Sequence, residues 1–126
     1  MTYTNVSNLG HAHQEWLKSL DFSKDEIIIM RKRLEEVISK NTGSEVTAEV
    51  EHYQNQFIVQ QNNIDELKHT INEHTHLVFV DAKAHVGRVE ETRVTEHEKI
   101  DEQVKMFEKS FTELRKEYNK FLAKWF

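Results

Sequence analysis

Residues 46–78, VTAEVEHYQNQFIVQQNNIDELKHTINEHTHLV, decide the fold of this chain. Their apolar residues recur mostly at alternating intervals of three and four, which is the spacing of a helical-bundle or coiled-coil seam. We therefore predict a helix from about residue 44 to residue 78 with one face in a core. The seam residues are Val46, Val50, Tyr53, Phe57, Ile64, Leu67, Ile71 and Val78.

A similar apolar stripe lies on each side of this helix, so we predict helices over about 8–41 and 82–125 as well. Ser23 and Glu26 form a capping-box pattern, but the first stripe keeps its phase there and we expect one continuous helix. Residues 77–80 are locally strand-like, and we expect a frayed helix end before a cap at Asp81. The first stripe is Trp16, Leu20, Ile27, Leu34 and Ile38; the third is Val86, Val89, Ile100, Val104, Phe107, Phe111, Leu114, Tyr118, Leu122 and Trp125.

The composition favours a few long elements joined by short loops. The chain of 126 residues has no proline and only three glycines, and these residues mark most turns. Short connections make sequential helices antiparallel, so we predict an all-α, up-down-up three-helix bundle in a single domain, 1–126. We also expect the third helix to overhang with its aromatic end, so that dimerisation completes a four-helix or larger bundle. That end consists of Phe121, Leu122, Trp125 and Phe126.

Several classes of function are disfavoured by charge and motif content. The net charge of −5 argues against a nucleic-acid binder, and no apolar run approaches the roughly 18 residues of a membrane span. The chain has no cysteine, which excludes disulfides and thiolate sites and fits a cytoplasmic location. No secretory signal, nucleophile–base pair or phosphate-binding loop is visible. An enzyme is therefore the less favoured interpretation.

Eight histidines raise the question of metal binding. The Glu-x-x-His pattern is the one that ferritin-like di-iron bundles use, and His-x-x-x-Glu or His-x-x-x-Asp pairs resemble those of hemerythrin-like bundles. Neither pattern identifies a family in this chain, which lacks a fourth helix. The second and third Glu-x-x-His copies lie opposite the apolar seam, and we predict a solvated acidic stripe there. The matches are Glu49/His52, Glu66/His69, Glu73/His76, His11/Glu15, His69/Glu73 and His97/Asp101.

A sharper candidate site consists of polar residues on or beside the apolar stripes. His74 lies between Ile71 and Val78, and Arg93 precedes Ile100 by two turns. If the chain reverses direction near residues 42 and 81, residues at equal distances before and after each turn lie at the same height along the bundle. This matching brings one segment of each helix together at one end of the bundle. The residues expected to converge there are His13, His74, Arg93 and Glu96, with Glu15 and His97 beside them.

The cluster has two interpretations. Arg93 and Glu96, bonded to the histidines, would fix the register of the helices as a buried polar network. Alternatively His13, Glu15, His74, Glu96 and His97 would bind Zn, Fe or Cu, although a neighbouring arginine disfavours a cation.

The function remains open between classes. The first expectation is a non-enzymatic helical module that acts through self-association, as a homodimer, or through a protein partner. Metal binding is the alternative, and pH sensing by histidines is a third possibility.

Overall fold

A computed structural model of the chain describes residues 3–85 and 88–126, with side chains from Leu9 to His85 and from Glu90 to Phe126. Within these residues three long helices pack against one another, which confirms the predicted all-α, up-down-up bundle. Salt bridges such as Lys24–Asp65 and Lys68–Asp21 follow the antiparallel register of the first two helices. The elements are β1 Tyr3–Asn5, α1 Val6–Lys40, α2 Ser44–Ala84, β2 Arg88–Glu90 and α3 Glu91–Trp125.

The predicted apolar stripes form most of the core. In α1 the buried residues follow one another at alternating intervals of four and three. This spacing makes Val37 the last buried residue of the helix. Ile38, which the sequence analysis placed in the stripe, is 39% exposed. In α3 Phe121 is buried, whereas Leu122 and Trp125 are half-buried against the core. Helix α1 is continuous through Ser23, which is itself buried.

The connection between α2 and α3 differs from the prediction. Helix α2 continues to Ala84, since Val78 packs against Leu9 in a small second apolar cluster that Ala82 also contacts. Asp81 therefore lies inside α2 and does not cap α3, which begins at Glu91. Of the predicted third stripe, Val86 lies outside the described residues and Val89 belongs to β2.

A two-stranded antiparallel ribbon closes one end of the bundle, where the sequence predicts no strand. Tyr3 pairs with Glu90 and Asn5 with Arg88, so the chain start is joined to the α2–α3 connection. The start of α1, the end of α2 and the start of α3 meet at this ribbon end. The histidine cluster lies there.

The predicted aromatic overhang at the other end is wrong. Helices α1 and α3 both have 35 residues, and α3 ends against its neighbours. Asn41 Nδ2 donates to the carbonyl oxygen of Trp125 at 3.1 Å, and Trp125 Nε1 donates to Glu49 at 3.0 Å. The ammonium group of Lys40 lies 4.4 Å from the centre of the Phe126 ring. Most of the aromatic end therefore packs within the chain, and Phe126 alone of its four residues is exposed, at 49%.

Candidate metal centre

Three histidines, one from each helix, meet near the ribbon end of the bundle. The ring centres of His13 on α1 and His74 on α2 are 4.9 Å apart, and His97 on α3 lies 5.4 Å from His13 and 6.1 Å from His74. One nitrogen of each ring lies within 4.8 Å of the other two. His13 and His74 are each 3% exposed, and His97 is partly buried.

The apolar periodicity of the helices places these rings. His13 lies between Leu9 and Trp16 on the buried face of α1, at the same intervals of four and three as its neighbours. His74 lies three residues after Ile71 and four before Val78, both buried. Since residues three and four apart share a helix face, each histidine is directed inward by the packing of the residues on either side.

The contacts of His13 fix the nitrogen that carries its proton. The Thr75 hydroxyl donates to the carbonyl oxygen of Ile71 at 2.8 Å. Its proton is therefore used, and the hydroxyl oxygen accepts from Nδ1–H of His13 at 3.1 Å. Nε2 of His13 is left with a lone pair, and it is buried without a hydrogen-bond partner in the part of the chain that the structure describes.

His74 has the same arrangement with a carboxylate. Its Nδ1 donates to Oε2 of Glu96 at 3.0 Å, and its Nε2 is buried and has no hydrogen-bond partner among the described residues. Glu96 accepts in turn from Nη1 of Arg93, and Nε of Arg93 lies 3.4 Å from Oδ2 of Asp81. The arginine is thus compensated by two carboxylates, which answers the objection that its charge raises against a bound cation.

His97 completes the set, because its Nδ1 is the third buried ring nitrogen that has no hydrogen-bond partner within residues 9–85 and 90–126. Trp16 lies beside it with ring centres 4.5 Å apart, and the indole also contacts His13 at 5.3 Å. The indole Nε1–H donates to Asp101 at 3.2 Å, so Trp16 has no donor left for the imidazoles. Buried polar atoms without a hydrogen-bond partner are rare, and five are found here among the described residues: the three ring nitrogens, Nε of Arg93 and Oδ2 of Asp81.

Burial also favours the form of the ring that binds metal. The pKa of His13 is lowered from 6.5 to about 4 by burial, then by the neighbouring His74 and His97. Burial and His74 lower the pKa of His97 as well. Neutral imidazole has the lone pair that a metal requires. With metal–nitrogen bonds of about 2.0–2.1 Å, the ligand nitrogens of a tetrahedral site are about 3.4 Å apart. The rings, whose nitrogens lie within 4.8 Å of one another, would therefore have to move closer together to bind one ion.

No family model, curated protein or solved structure matches this chain. Among the described residues, no helix is both long and apolar enough to cross a membrane. The arrangement of the three histidines is therefore the main basis for a functional proposal.

Four of the five predicted site residues come together and one does not. His13, His74 and His97 form the cluster, and Glu96 contacts it through Nδ1 of His74 rather than as a member of the three-ligand group. Glu15 is exposed, because two residues of helix turn it about 200° away from His13. The predicted acidic stripe of α2 is exposed as expected; it comprises Glu66, His69, Glu73 and His76.

Two contributors were missed from the sequence. Trp16 was assigned to the core alone, although it also contacts two of the imidazoles. Thr75 follows His74 directly. In helices a threonine hydroxyl often donates to the carbonyl oxygen four residues earlier, so the sequence could have indicated the bond from Thr75 to Ile71. Its contact with His13 depends on the α1–α2 register, which no local pattern contains.

Proposed function

We propose that the protein binds a transition-metal ion through Nε2 of His13, Nε2 of His74 and Nδ1 of His97. Two observations carry this proposal: one ring nitrogen of each histidine lies within 4.8 Å of the other two, and each ring has a buried nitrogen without a hydrogen-bond partner among the described residues. A purely structural network would use such atoms for internal hydrogen bonds, because an unsatisfied buried polar group costs about 1–3 kcal/mol. A metal ion satisfies all three at once.

The ligand set favours zinc, copper or ferrous iron. Imidazole suits these metals, whereas magnesium and calcium prefer oxygen ligands. The bonds from Nδ1 of His13 to Thr75 and from Nδ1 of His74 to Glu96 are of the kind that orient metal-bound histidines. Because each helix supplies one ligand, the ion would also join α1, α2 and α3 at the ribbon end.

The direct test is isothermal titration calorimetry of chelator-treated protein with zinc. We expect one high-affinity site per chain, and loss of that site in His13→Leu, His74→Leu and His97→Leu. The matched control is His69→Leu, because His69 is also a histidine but is exposed on the acidic stripe. Circular dichroism establishes that each variant is folded. Unchanged affinity in folded His74→Leu would contradict the proposal, and so would an equal loss in His69→Leu.

A second candidate function is self-association into a homodimer, which exposed apolar side chains on α1 favour. Phe22 is 70% exposed and Ile29 is 57% exposed. They are seven residues apart, so they lie two turns apart on one outward face of the helix. A second copy that covered them would remove apolar surface from water.

Sedimentation equilibrium tests this second candidate. The wild-type chain should be dimeric and a Phe22→Glu/Ile29→Glu variant monomeric, while Met106→Glu, at an exposed apolar position on α3, should remain dimeric. A wild-type chain that stays monomeric at high concentration would rule the candidate out.

A further inference from the structure

We propose that the groove between α2 and α3 binds an amphipathic helix of a protein partner, and that the polar face of this helix is basic. The α2–α3 groove is separate from the three candidate ligand nitrogens and from the outward face of α1 that contains Phe22 and Ile29. Binding in it needs no metal ion.

Polar side chains bridge the other two seams of the bundle. Between α1 and α2, the ammonium group of Lys24 lies 3.1 Å from the carboxylate of Asp65. Between α1 and α3, Nη2 of Arg115 donates to Glu26 at 2.9 Å. Both seams therefore have ion pairs across them, well inside the helix ends.

The seam between α2 and α3 has a long open stretch instead. Gln60 donates to Ser110 at 3.0 Å, and about four turns further along α2 His74 donates to Glu96 at 3.0 Å. Among the described residues, no side-chain hydrogen bond or salt bridge joins α2 to α3 between these two bonds. The open stretch is about 21 Å long, which is the length of a four-turn helix.

A continuous groove follows this open stretch. Two cavities of about 370 and 300 Å³ lie along it, and Thr70 and Gln103 line both of them. Leu67 and Phe107 line the first cavity from the side of the core, against which Leu67 packs. The base of the groove is therefore partly apolar.

The edges of the groove also carry exposed apolar side chains. Met106, on the α3 edge, is 72% exposed, and Leu77, on the α2 edge, is 42% exposed. Single exposed apolar residues are common, but these two flank a groove with Leu67 and Phe107 at its base. Methionine is enriched at protein interfaces, because its flexible side chain adapts to the surface it meets. The groove therefore fits the apolar face of a helix, whose contact residues are three and four apart.

The charges around the groove indicate the polar face of that helix. On the α2 side the charged lining residues are Glu66 and Glu73. On the α3 side Glu96 is paired with Arg93, and Lys99 is the basic lining residue. Negative charges outnumber positive ones, so lysine or arginine on the flanks of a bound helix would be attracted. The other exposed charges on this side of α3 are Glu102, Lys109 and Glu113.

A second copy of the chain fits this groove less well than a basic helix does. Two grooves face to face would bring Glu66 and Glu73 of both copies together, and like charges repel. The outward face of α1 lies on the opposite side of the bundle from the α2–α3 groove. Its docking into the groove could not be reciprocal, and would build an open chain of copies rather than a closed dimer.

Fluorescence anisotropy with a designed peptide tests the proposal. The probe is a fluorescein-labelled peptide of about 18 residues, with leucines at helical intervals of three and four and lysines elsewhere. The control peptide has the same residues in scrambled order. In buffer with chelator, we expect saturable binding of one helical peptide per chain, and binding of the scrambled peptide at least about ten-fold weaker.

Substitution of an apolar edge residue locates the bound peptide. Met106→Glu should weaken binding at least about ten-fold, because it removes an apolar contact and places a charge in the interface. Ile58→Glu is the matched control, since Ile58 is also an exposed apolar residue, at 41%, and does not line either cavity. Its affinity for the peptide should equal that of the wild-type protein. Circular dichroism establishes that both variants are folded.

Reversal of the acidic α2 edge tests the charge of the partner. Glu66→Lys/Glu73→Lys should weaken peptide binding by about ten-fold. The control Glu35→Lys/Glu36→Lys makes the same change in net charge on the exposed face of α1 and should have a much smaller effect.

The remaining outcomes overturn the proposal. The groove is not the binding surface if the helical peptide does not bind, if the scrambled peptide binds equally well, or if Met106→Glu and Ile58→Glu have equal affinities. Equal losses in the two charge-reversal variants would show that net charge alone attracts the peptide. If sedimentation equilibrium shows that Met106→Glu converts a dimeric chain into monomers, a second copy occupies the groove in place of a partner helix.

Discussion

Thr75 and Glu96 decide which nitrogen of their histidine partners carries the proton. Both accept from Nδ1–H, because the threonine proton is already bonded to Ile71 and the glutamate has no proton to give. The Nε2 atoms of His13 and His74 are buried and have no hydrogen-bond partner among the described residues. Residues that make such bonds typically affect metal affinity without touching the metal.

The Thr75→Val substitution should weaken metal binding while it preserves the fold. Valine has nearly the same shape but cannot accept from His13, so the ring loses the bond that fixes its tautomer. We expect zinc affinity to fall by about 10- to 100-fold in calorimetric titrations.

Thr70→Val is the matched control, since the Thr70 hydroxyl likewise donates to a carbonyl four residues earlier but has no hydrogen bond to a histidine among the described residues. Equal affinities for the Thr75→Val and Thr70→Val variants would contradict the role of Thr75.

The sequence predicts an individual site residue when its position on an apolar stripe is enough to show that it is buried. Burial of His74 follows from its place between Ile71 and Val78, and its height along the bundle, measured from the two turns, brings it near His13 and Glu96. The contact between Thr75 and His13 was not predictable, because it requires the α1–α2 register to within a single residue.

The helices are predictable as elements because their apolar stripes run for many turns. Their ends are less predictable: α2 continues past Val78, where Leu9, far away in sequence, packs against it. Strands β1 and β2 have three residues each, too few for an alternating pattern to be visible, so the ribbon has no sequence signal.

The α1–α3 contact contains one buried hydrogen bond that can be removed cleanly. Tyr118 donates from its hydroxyl to the carbonyl oxygen of Met30 at 2.9 Å, and burial raises its pKa to about 12. Tyr118→Phe removes that donor and keeps the ring. The free energy of unfolding in urea should therefore fall by about 1 kcal/mol.

Tyr53→Phe serves as the control, because no hydrogen bond from the Tyr53 hydroxyl is found among the described residues and its ring is only half-buried. If Tyr53→Phe lowers the free energy of unfolding as much as Tyr118→Phe does, the hydrogen bond to Met30 is not the cause of the lost stability.

At the scale of the whole molecule, the proposed metal centre requires that all three helices be assembled. His13, His74 and His97 are far apart in sequence, and the unfolded chain does not hold them together. Metal that binds the folded state alone stabilises it in proportion to the logarithm of its concentration over the dissociation constant. Folding and metal binding are therefore expected to be linked in this bundle.

The metal-free protein should lose stability as the pH falls. The pKa of His13 is about 4 in the folded chain against 6.5 ordinarily, so the unfolded chain takes up this proton at higher pH. His13's contribution is fully present above pH 6.5 and is lost toward pH 4, and the lowered pKa of His97 acts in the same direction. In urea titrations with chelator, His13 should account for a decrease of about 2 kcal/mol between about pH 7.5 and 5.

In the His13→Leu variant the free energy of unfolding should decrease less between these two pH values than in the wild-type protein. In the His69→Leu variant it should decrease as much as in the wild-type protein. If His13→Leu keeps the full dependence on pH, His13 is not the group responsible.

X-ray absorption at the zinc edge, on protein loaded with one equivalent of zinc, tests the central claim most directly. The account predicts three imidazole nitrogens at about 2.0–2.1 Å, together with one light atom from water or an anion. The three-imidazole signal should be lost in His74→Leu and unchanged in His69→Leu. A coordination shell of oxygen atoms, or one with fewer than three imidazoles in the wild-type protein, would contradict the assignment of His13, His74 and His97 as the metal ligands.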